Sequence, residues 1–243
     1  MFDHVTIRAS DRSATEHFYD VVLEPLGISK SHSDGDGAMW EDLGMYAVDG
    51  THPATRGLHI GFVAPSSDHV DRFWEAGIEA GYRDDGAPGP RPEYGDDYYG
   101  GFLLDPNGNS AEAVHHDSLR TGGIIDHLWI RVANVAASRA FYSTVAPHAG
   151  FALRLDTPQR ARFAGESGSF SVLAGVKPTE HVHIAFPASD DATVDRFHAA
   201  ATGSGYRDNG GPGERLVYHE GYYAAFVLDP DGHNVEIVNH NAG

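Results

Sequence analysis

Cysteine is absent from the chain, which excludes a disulfide framework and a thiolate metal site and leaves any metal to the nitrogen and oxygen ligands of His, Asp and Glu. Lysine is nearly absent, with Lys30 and Lys177 alone, and 17 basic against 35 acidic residues give a formal charge of −18. Such a balance repels a phosphate backbone and argues against nucleic acid or an anionic membrane surface as a partner; its simplest role is solubility. No apolar run approaches the roughly 18 residues of a membrane span. The N-terminus, MFDHVTIRASDRS, has no basic segment followed by an apolar one, so no secretion signal is read there and a cytoplasmic location is expected.

What is present is a globular composition, 41% hydrophobic and 11% aromatic, in 243 residues, enough for two ordinary domains. The chain is also a duplication. Residues 57–116 align on 181–240 without a gap and nearly half of the positions are identical, GYRD at 81–84 falling on GYRD at 205–208. DHVTIRASDRSATEHFYDVVLEPLG at 3–27 likewise meets DHLWIRVANVAASRAFYSTVAPHAG at 126–150, with one small insertion or deletion between the two blocks. The polar HDSLRTGG at 116–123 suits an exposed linker, giving domains at 1–118 and 125–243 joined by 119–124. The repeat is far longer than a solenoid unit.

Within a half, HVTIR alternates as a strand, and Ala14, Phe18, Val21 and Val22 follow at helical spacing with Asp11 or Ser13 as N-cap. Ala38–Trp40 and Met45–Val48 suggest a hairpin. LHIGF then reads as a strand, SSDHVDRFWEAGIEAG as a helix stopped by Gly81, and YYGGFLLD with SAEAV as two strands joined by a DPNG turn. Each half therefore holds two strand-helix-strand-strand-strand units, and the chain four.

Strand alternation places His4, Thr6 and Arg8 opposite the apolar Val5, Ile7 and Ala9, which should meet the helices. His127, Trp129 and Arg131 oppose Leu128, Ile130 and Val132 in the same way. His59 and His183 face away from the apolar side of their strands, and so do Glu112 and Glu236 in the closing ones. Two imidazoles and a carboxylate per half, all on faces free of helices, are the donor set of a facial triad, which binds a divalent metal and leaves positions open. Singly, each such His or Glu is more often a hydrogen-bonded strand residue or an edge charge.

Two such units per half, with DH near the start, LHIGF or HVHIAF in the middle and LDPDGHNVEIV at the end, resemble the vicinal oxygen chelate superfamily, which includes glyoxalase I, the bleomycin resistance proteins and the type I extradiol dioxygenases. The resemblance covers nearly the whole chain and implies an α+β fold: four βαβββ units paired into two curved, open mixed sheets with helices on the outer faces. It implies metal ligands at His4, His59, Glu112, His127, His183 and Glu236. These divide either as His4, His59, Glu112 and His127, His183, Glu236, or as His4, His183, Glu236 and His127, His59, Glu112; the sequence fits both.

Glyoxalase I carries a further Glu ligand, whereas the corresponding MYAV at 45–48 and FSVL at 170–173 contain no carboxylate, and Glu41 and Glu166 fall in the preceding turns. The dioxygenases carry a Tyr where this chain has Phe102 and Phe226, and a His that is matched by His219 but replaced by Gly95 in the first half. His219, Tyr99 and Tyr223 (or the neighbouring Tyr98 and Tyr222) are the candidates for moving a proton. Arg8 and Arg131 are the candidates for a substrate carboxylate. The expected function is a metal-dependent enzyme chelating two neighbouring oxygens of a small molecule, with dioxygenase or isomerase and lyase chemistry as branches. Fe(II), Mn(II), Zn(II), Ni(II) or Co(II) all suit the ligands. The alternative is a metal-free sequestering protein like the bleomycin resistance group. A monomer or homodimer is expected, because four units can complete sheets that shorter relatives build by dimerising.

Overall fold

The computed structural model describes residues 1–241. Its first unit runs β1 (His4–Ala9), α1 (Arg12–Leu23), β2 (His32–Ser33), β3 (Gly37–Trp40) and β4 (Leu43–Ala47). The second runs β5 (His59–Val63), α2 (Ser67–Glu79), β6 (Arg83–Pro90), β7 (Tyr99–Leu104) and β8 (Ser110–His115). The third comprises β9 (Ile125–Val132), α3 (Val135–Ala149), β10 (Ala152–Thr157), β11 (Arg160–Ala164) and β12 (Ser169–Ala174). The fourth comprises β13 (His183–Pro187), α4 (Asp191–Gly203), β14 (Arg207–Glu214), β15 (Tyr223–Leu228) and β16 (Asn234–Asn239). No helix among the described residues is long and apolar enough to cross a membrane.

The helices start where short polar side chains satisfy free backbone donors. Asp11 accepts from the Ala14 amide at 3.0 Å, Asn134 from Ala137 at 3.0 Å and Asp190 from Thr193 at 2.6 Å. Phe18, Tyr19 and Val22 on α1, and Phe141, Tyr142 and Val145 on α3, make the stripes that bury these helices.

Within each unit the first strand lies parallel to the last and the other strands add as antiparallel hairpins. The units then join edge to edge, β1 antiparallel to β13 and β5 antiparallel to β9. One open sheet therefore has the order β14-β15-β16-β13-β1-β4-β3-β2 and the other β10-β11-β12-β9-β5-β8-β7-β6. Each sheet takes one unit from each half of the sequence, so the swapped pairing is the one adopted.

The apolar faces of both sheets and all four helices merge into one core. Tyr19 of α1 meets Phe62 of β5 at 6.2 Å between rings, and Phe151 before β10 meets Phe186 of β13 at 4.8 Å, each contact joining units that belong to different sheets. The D-P-[ND]-G turns tie the units of one half together. Asp105 accepts from the amides of Asn107 and Asn109, while Asn107 accepts from Ser10 and donates to Thr15 of α1. In the second half Asp229 accepts from the amides of Asp231 and His233, and Asp231 accepts from the Ala133 amide and the Ser138 hydroxyl of α3.

The segment expected as an exposed linker is anchored. Arg120 is buried and donates to Asp42 Oδ2 at 2.6 Å and to the carbonyls of Phe2 and Ile125. Gly123, at φ 101°, passes so close to Asp42 and Arg120 that a Cβ there would strike both. Asp117, Ser118, Thr121 and Gly122 around Arg120 are exposed, so polarity of the segment concealed one buried charge.

Candidate metal centres

On the face of each sheet opposite the helices, three side chains converge. His4, His183 and Glu236 form one group, and His59, Glu112 and His127 the other; in each, one donor atom per residue lies within 4.8 Å of the others. The strand ladder explains why. His127, Gly61 and Glu112 sit side by side on β9, β5 and β8, and His59 projects from the same face two residues before Gly61. His4, Ala185 and Glu236 are aligned likewise on β1, β13 and β16, with His183 two residues before Ala185. The alternation that put Val5, Ile7 and Ala9 in the core thus turned His4 to the open face, as expected.

In the first group His59 Nε2 lies 2.8 Å and His127 Nε2 3.3 Å from Glu112 Oε2. The other carboxylate oxygen, Oε1, accepts from the Tyr98 hydroxyl at 2.7 Å. His127 Nδ1 is held by Asp126 at 2.9 Å, which turns Nε2 inward, and Asp126 also meets His116. His127 Nε2 is buried and, despite lying 3.3 Å from Glu112 Oε2, makes no aligned hydrogen bond among the described residues. The second group is built alike. His183 Nε2 and His4 Nε2 lie 2.7 and 3.5 Å from Glu236 Oε2, Tyr222 donates to Oε1 at 2.6 Å, and Asp3 holds His4 Nδ1 at 2.8 Å.

Burial opposes ionisation of Glu112, but His127 and His59 outweigh it and hold its carboxyl at about 2. Burial alone would push the His127 imidazole down; Asp126 and Glu112 raise it to about 9. Burial lowers His59 and His183, whereas on His4 the opposing pull of Asp3 and Glu236 prevails. The Tyr98 and Tyr222 hydroxyls are pushed far up by burial and by the carboxylates they bond, so both are fixed as proton donors. A divalent cation suits this donor set of an anionic oxygen and two imidazoles, and in the first group it would also satisfy the buried His127 Nε2.

The structure gathers all six expected ligand residues but not all the other candidates. Tyr99 and Tyr223 hydrogen-bond to Asp71 of α2 and Asp195 of α4, on the helix side, and do not reach either trio. Their neighbours Tyr98 and Tyr222 do, because successive residues take opposite faces. His219 is exposed; it meets His240, which meets Asp3, so two residues separate it from His4. Arg8 and Arg131 stay on the open face, but Arg8 is engaged by Ala47 and Asp49, and Arg131 by the Gly57 carbonyl. Asp3 and Asp126 had no role assigned from sequence, although each directly precedes its His in both halves. The trios also differ. Trp129 stacks on His59 with 5.0 Å between rings, where the first unit has Thr6. Gly61 is required because a Cβ would collide with the His127 ring, whereas Ala185 is tolerated beside the more open His4.

The sequence model described as Glyoxalase/Bleomycin resistance protein/Dioxygenase superfamily matches residues 124–237, and the first half repeats that segment. Among curated proteins no sequence matches the chain. Among solved structures, glyoxalase I from Zea mays is similar over 98% of this chain and 92% of its own, at 18% identity and a TM-score of 0.70. A putative dioxygenase from Bacillus subtilis is similar over 100% of this chain and 86% of its own, at 15% identity and a TM-score of 0.68. A glyoxalase/bleomycin resistance protein from Albidiferax ferrireducens is 31% identical over 48% of this chain and 99% of its own, with a TM-score of 0.44.

Proposed function

The chain belongs to the Glyoxalase/Bleomycin resistance protein/Dioxygenase superfamily, and from that premise we propose that it is a metal-dependent enzyme whose two His-His-Glu sites bind a small molecule through two neighbouring oxygens. His59, Glu112 and His127 are the ligands of one site and His4, His183 and Glu236 those of the other. The observation that carries this reading is His127 Nε2, a buried nitrogen 3.3 Å from Glu112 Oε2 but out of line with it, which among the described residues has no hydrogen-bond partner. Leaving such an atom unsatisfied costs about 1–3 kcal/mol, which a coordinated cation relieves.

A bound divalent ion supplies Lewis acidity to substrate oxygens or, if it is iron, a centre for oxygen chemistry. The protein's own part is to hold the donors. Asp126 and Asp3 accept from the Nδ1 atoms of His127 and His4, and thereby present Nε2. Tyr98 and Tyr222 occupy one oxygen of each glutamate and leave the other for the ion. Their raised hydroxyls keep their protons at neutral pH, so they orient the carboxylates and do not act as bases. Among the candidates for proton transfer, His219 acts only through His240 and Asp3. The absence of a carboxylate on β4 and β12 favours three protein ligands, the arrangement of the dioxygenase branch.

The test is metal analysis of protein purified without chelator or nickel resin. Two equivalents of a divalent transition metal, present or taken up on adding Fe(II), Mn(II) or Zn(II), are expected. Near-zero content with no uptake overturns the proposal and leaves metal-free sequestration.

A further inference from the structure

A cleft of about 750 Å³ adjoins the His59, Glu112, His127 site, lined by Tyr98, His127 and Trp129 together with Arg154, Arg160 and Arg162 from the outer hairpin of the same sheet. In a chain with twice as many acids as bases, counter-ions are abundant, yet none of these three arginines makes an ion pair among the described residues. Glu93 and Glu166 line the cleft without pairing to them, and the other carboxylates are engaged, Asp126 by two imidazoles and Asp97 by the Asp117 amide.

Arg160 is the best placed. It is half-buried on β11, its guanidinium 5.0 Å from the Trp129 ring, which itself stacks on the ligand candidate His59. Its Nε donates to Ser171 at 3.0 Å, which fixes the plane of the fork and leaves both terminal nitrogens without a partner among the described residues. Burial and the neighbouring Arg162 make its charge costly. A rigid, desolvated guanidinium without a counter-ion is a binding position for a carboxylate or phosphate.

At the other site no arginine stands at the positions equivalent to Arg160 and Arg162. In the ladder Arg160 pairs with Leu173, two residues beyond Ser171, the partner of Trp129; the corresponding residue of the first unit is Gly37, paired with Tyr46. The Tyr46 ring lies against Gly37, and Arg8 stacks on that ring while held by Ala47 and Asp49. Met39 likewise stands where Arg162 does.

We propose that the His59, Glu112, His127 site is selective for an anionic substrate, whose carboxylate or phosphate is held by Arg160 while its two neighbouring oxygens face the trio, and that the His4, His183, Glu236 site lacks this selectivity. The inference rests on the metal reading above. Arg160 is a specificity-determining residue in it.

The test uses zinc-loaded protein and two probes with the same pair of oxygens, catechol and 3,4-dihydroxybenzoate, titrated by calorimetry. The wild type is expected to bind the carboxylated probe at least tenfold more tightly at one site per chain. Arg160→Met should abolish that preference with catechol affinity changed less than twofold, and Arg160→Lys should restore part of it. Glu236→Gln should leave the preference intact. No preference in the wild type, or an unchanged preference in Arg160→Met, overturns the proposal. If zinc is not taken up, the metal reading fails by itself, and benzoate and inorganic phosphate are titrated into the metal-free protein. Binding that Arg160→Met removes then supports the anion subsite, and no binding to the wild type refutes it.

Discussion

Each glutamate of the two trios uses its oxygens differently: one accepts from a tyrosine, and the other faces two imidazoles at 2.7 to 3.5 Å. The carboxylate is the anionic member of its trio, so it has the greatest effect on a dication. Glu112→Gln and Glu236→Gln are each expected to lose one of two metal equivalents, and the double variant both, as read by elemental analysis. Asp126 acts one bond further out. Asp126→Asn keeps an acceptor for His127 Nδ1 but removes its charge, and so weakens the basicity of Nε2. Loss of such a partner costs about 10–100-fold in metal affinity. Competition against a calibrated chelator should show this fall at one of the two sites, with the His4, His183, Glu236 site unchanged.

At the level of strands, period-two alternation makes most of this legible in the sequence. It separated His4 from Val5 and Glu236 from Val235, and the repeat supplied each inference twice. The same rule, carried back from Gly100 and Phe102, selects Tyr98 over Tyr99, but YYGGFLLD, with two glycines and adjacent apolar residues, shows no alternation of its own from which to count. The choice between the two pairings was invisible, because both halves carry the same motifs and a strand edge reads alike for either partner. Arg160 was hidden for the opposite reason: it lies where the halves diverge, so duplication gave no echo of it. Gly61 marks how finely the ladder is fitted. A Cβ there meets the His127 ring, which is flanked by Asp126, Glu112 and Trp129 and has little room to yield. Gly61→Ala is expected to destabilise the fold by about 1–3 kcal/mol through overpacking. It should also lower metal affinity at that site while circular dichroism stays unchanged; full retention of both equivalents at wild-type affinity would contradict the fit.

Across the whole molecule, the halves of the sequence are interlocked. Sheets join unit one to unit four and unit two to unit three, while the D-P-[ND]-G turns bind units of the same half, so no cut separates the chain into independent pieces without breaking a ladder or a turn. Arg120 sits where this interlock passes from half to half, bonded to Asp42 between β3 and β4 and to the carbonyls of Phe2 and Ile125. Arg120→Met leaves Asp42 buried with amide donors alone, a change that costs about 3–5 kcal/mol for a broken buried pair. Burial already raises the Asp42 carboxyl against the opposing pull of Arg120, and losing the guanidinium raises it further. A carboxyl raised in the folded state favours folding in its protonated form, and this contribution disappears as pH rises through the folded value. The variant's deficit should therefore be smallest in acid, at or below the ordinary carboxylate range, and grow toward neutrality. Adding Asp42→Asn should recover much of the stability at neutral pH and flatten the profile. Urea denaturation at pH 4.5 and pH 7.5 measures both effects, and a deficit independent of pH would mean that Arg120 acts through its backbone contacts and not through Asp42.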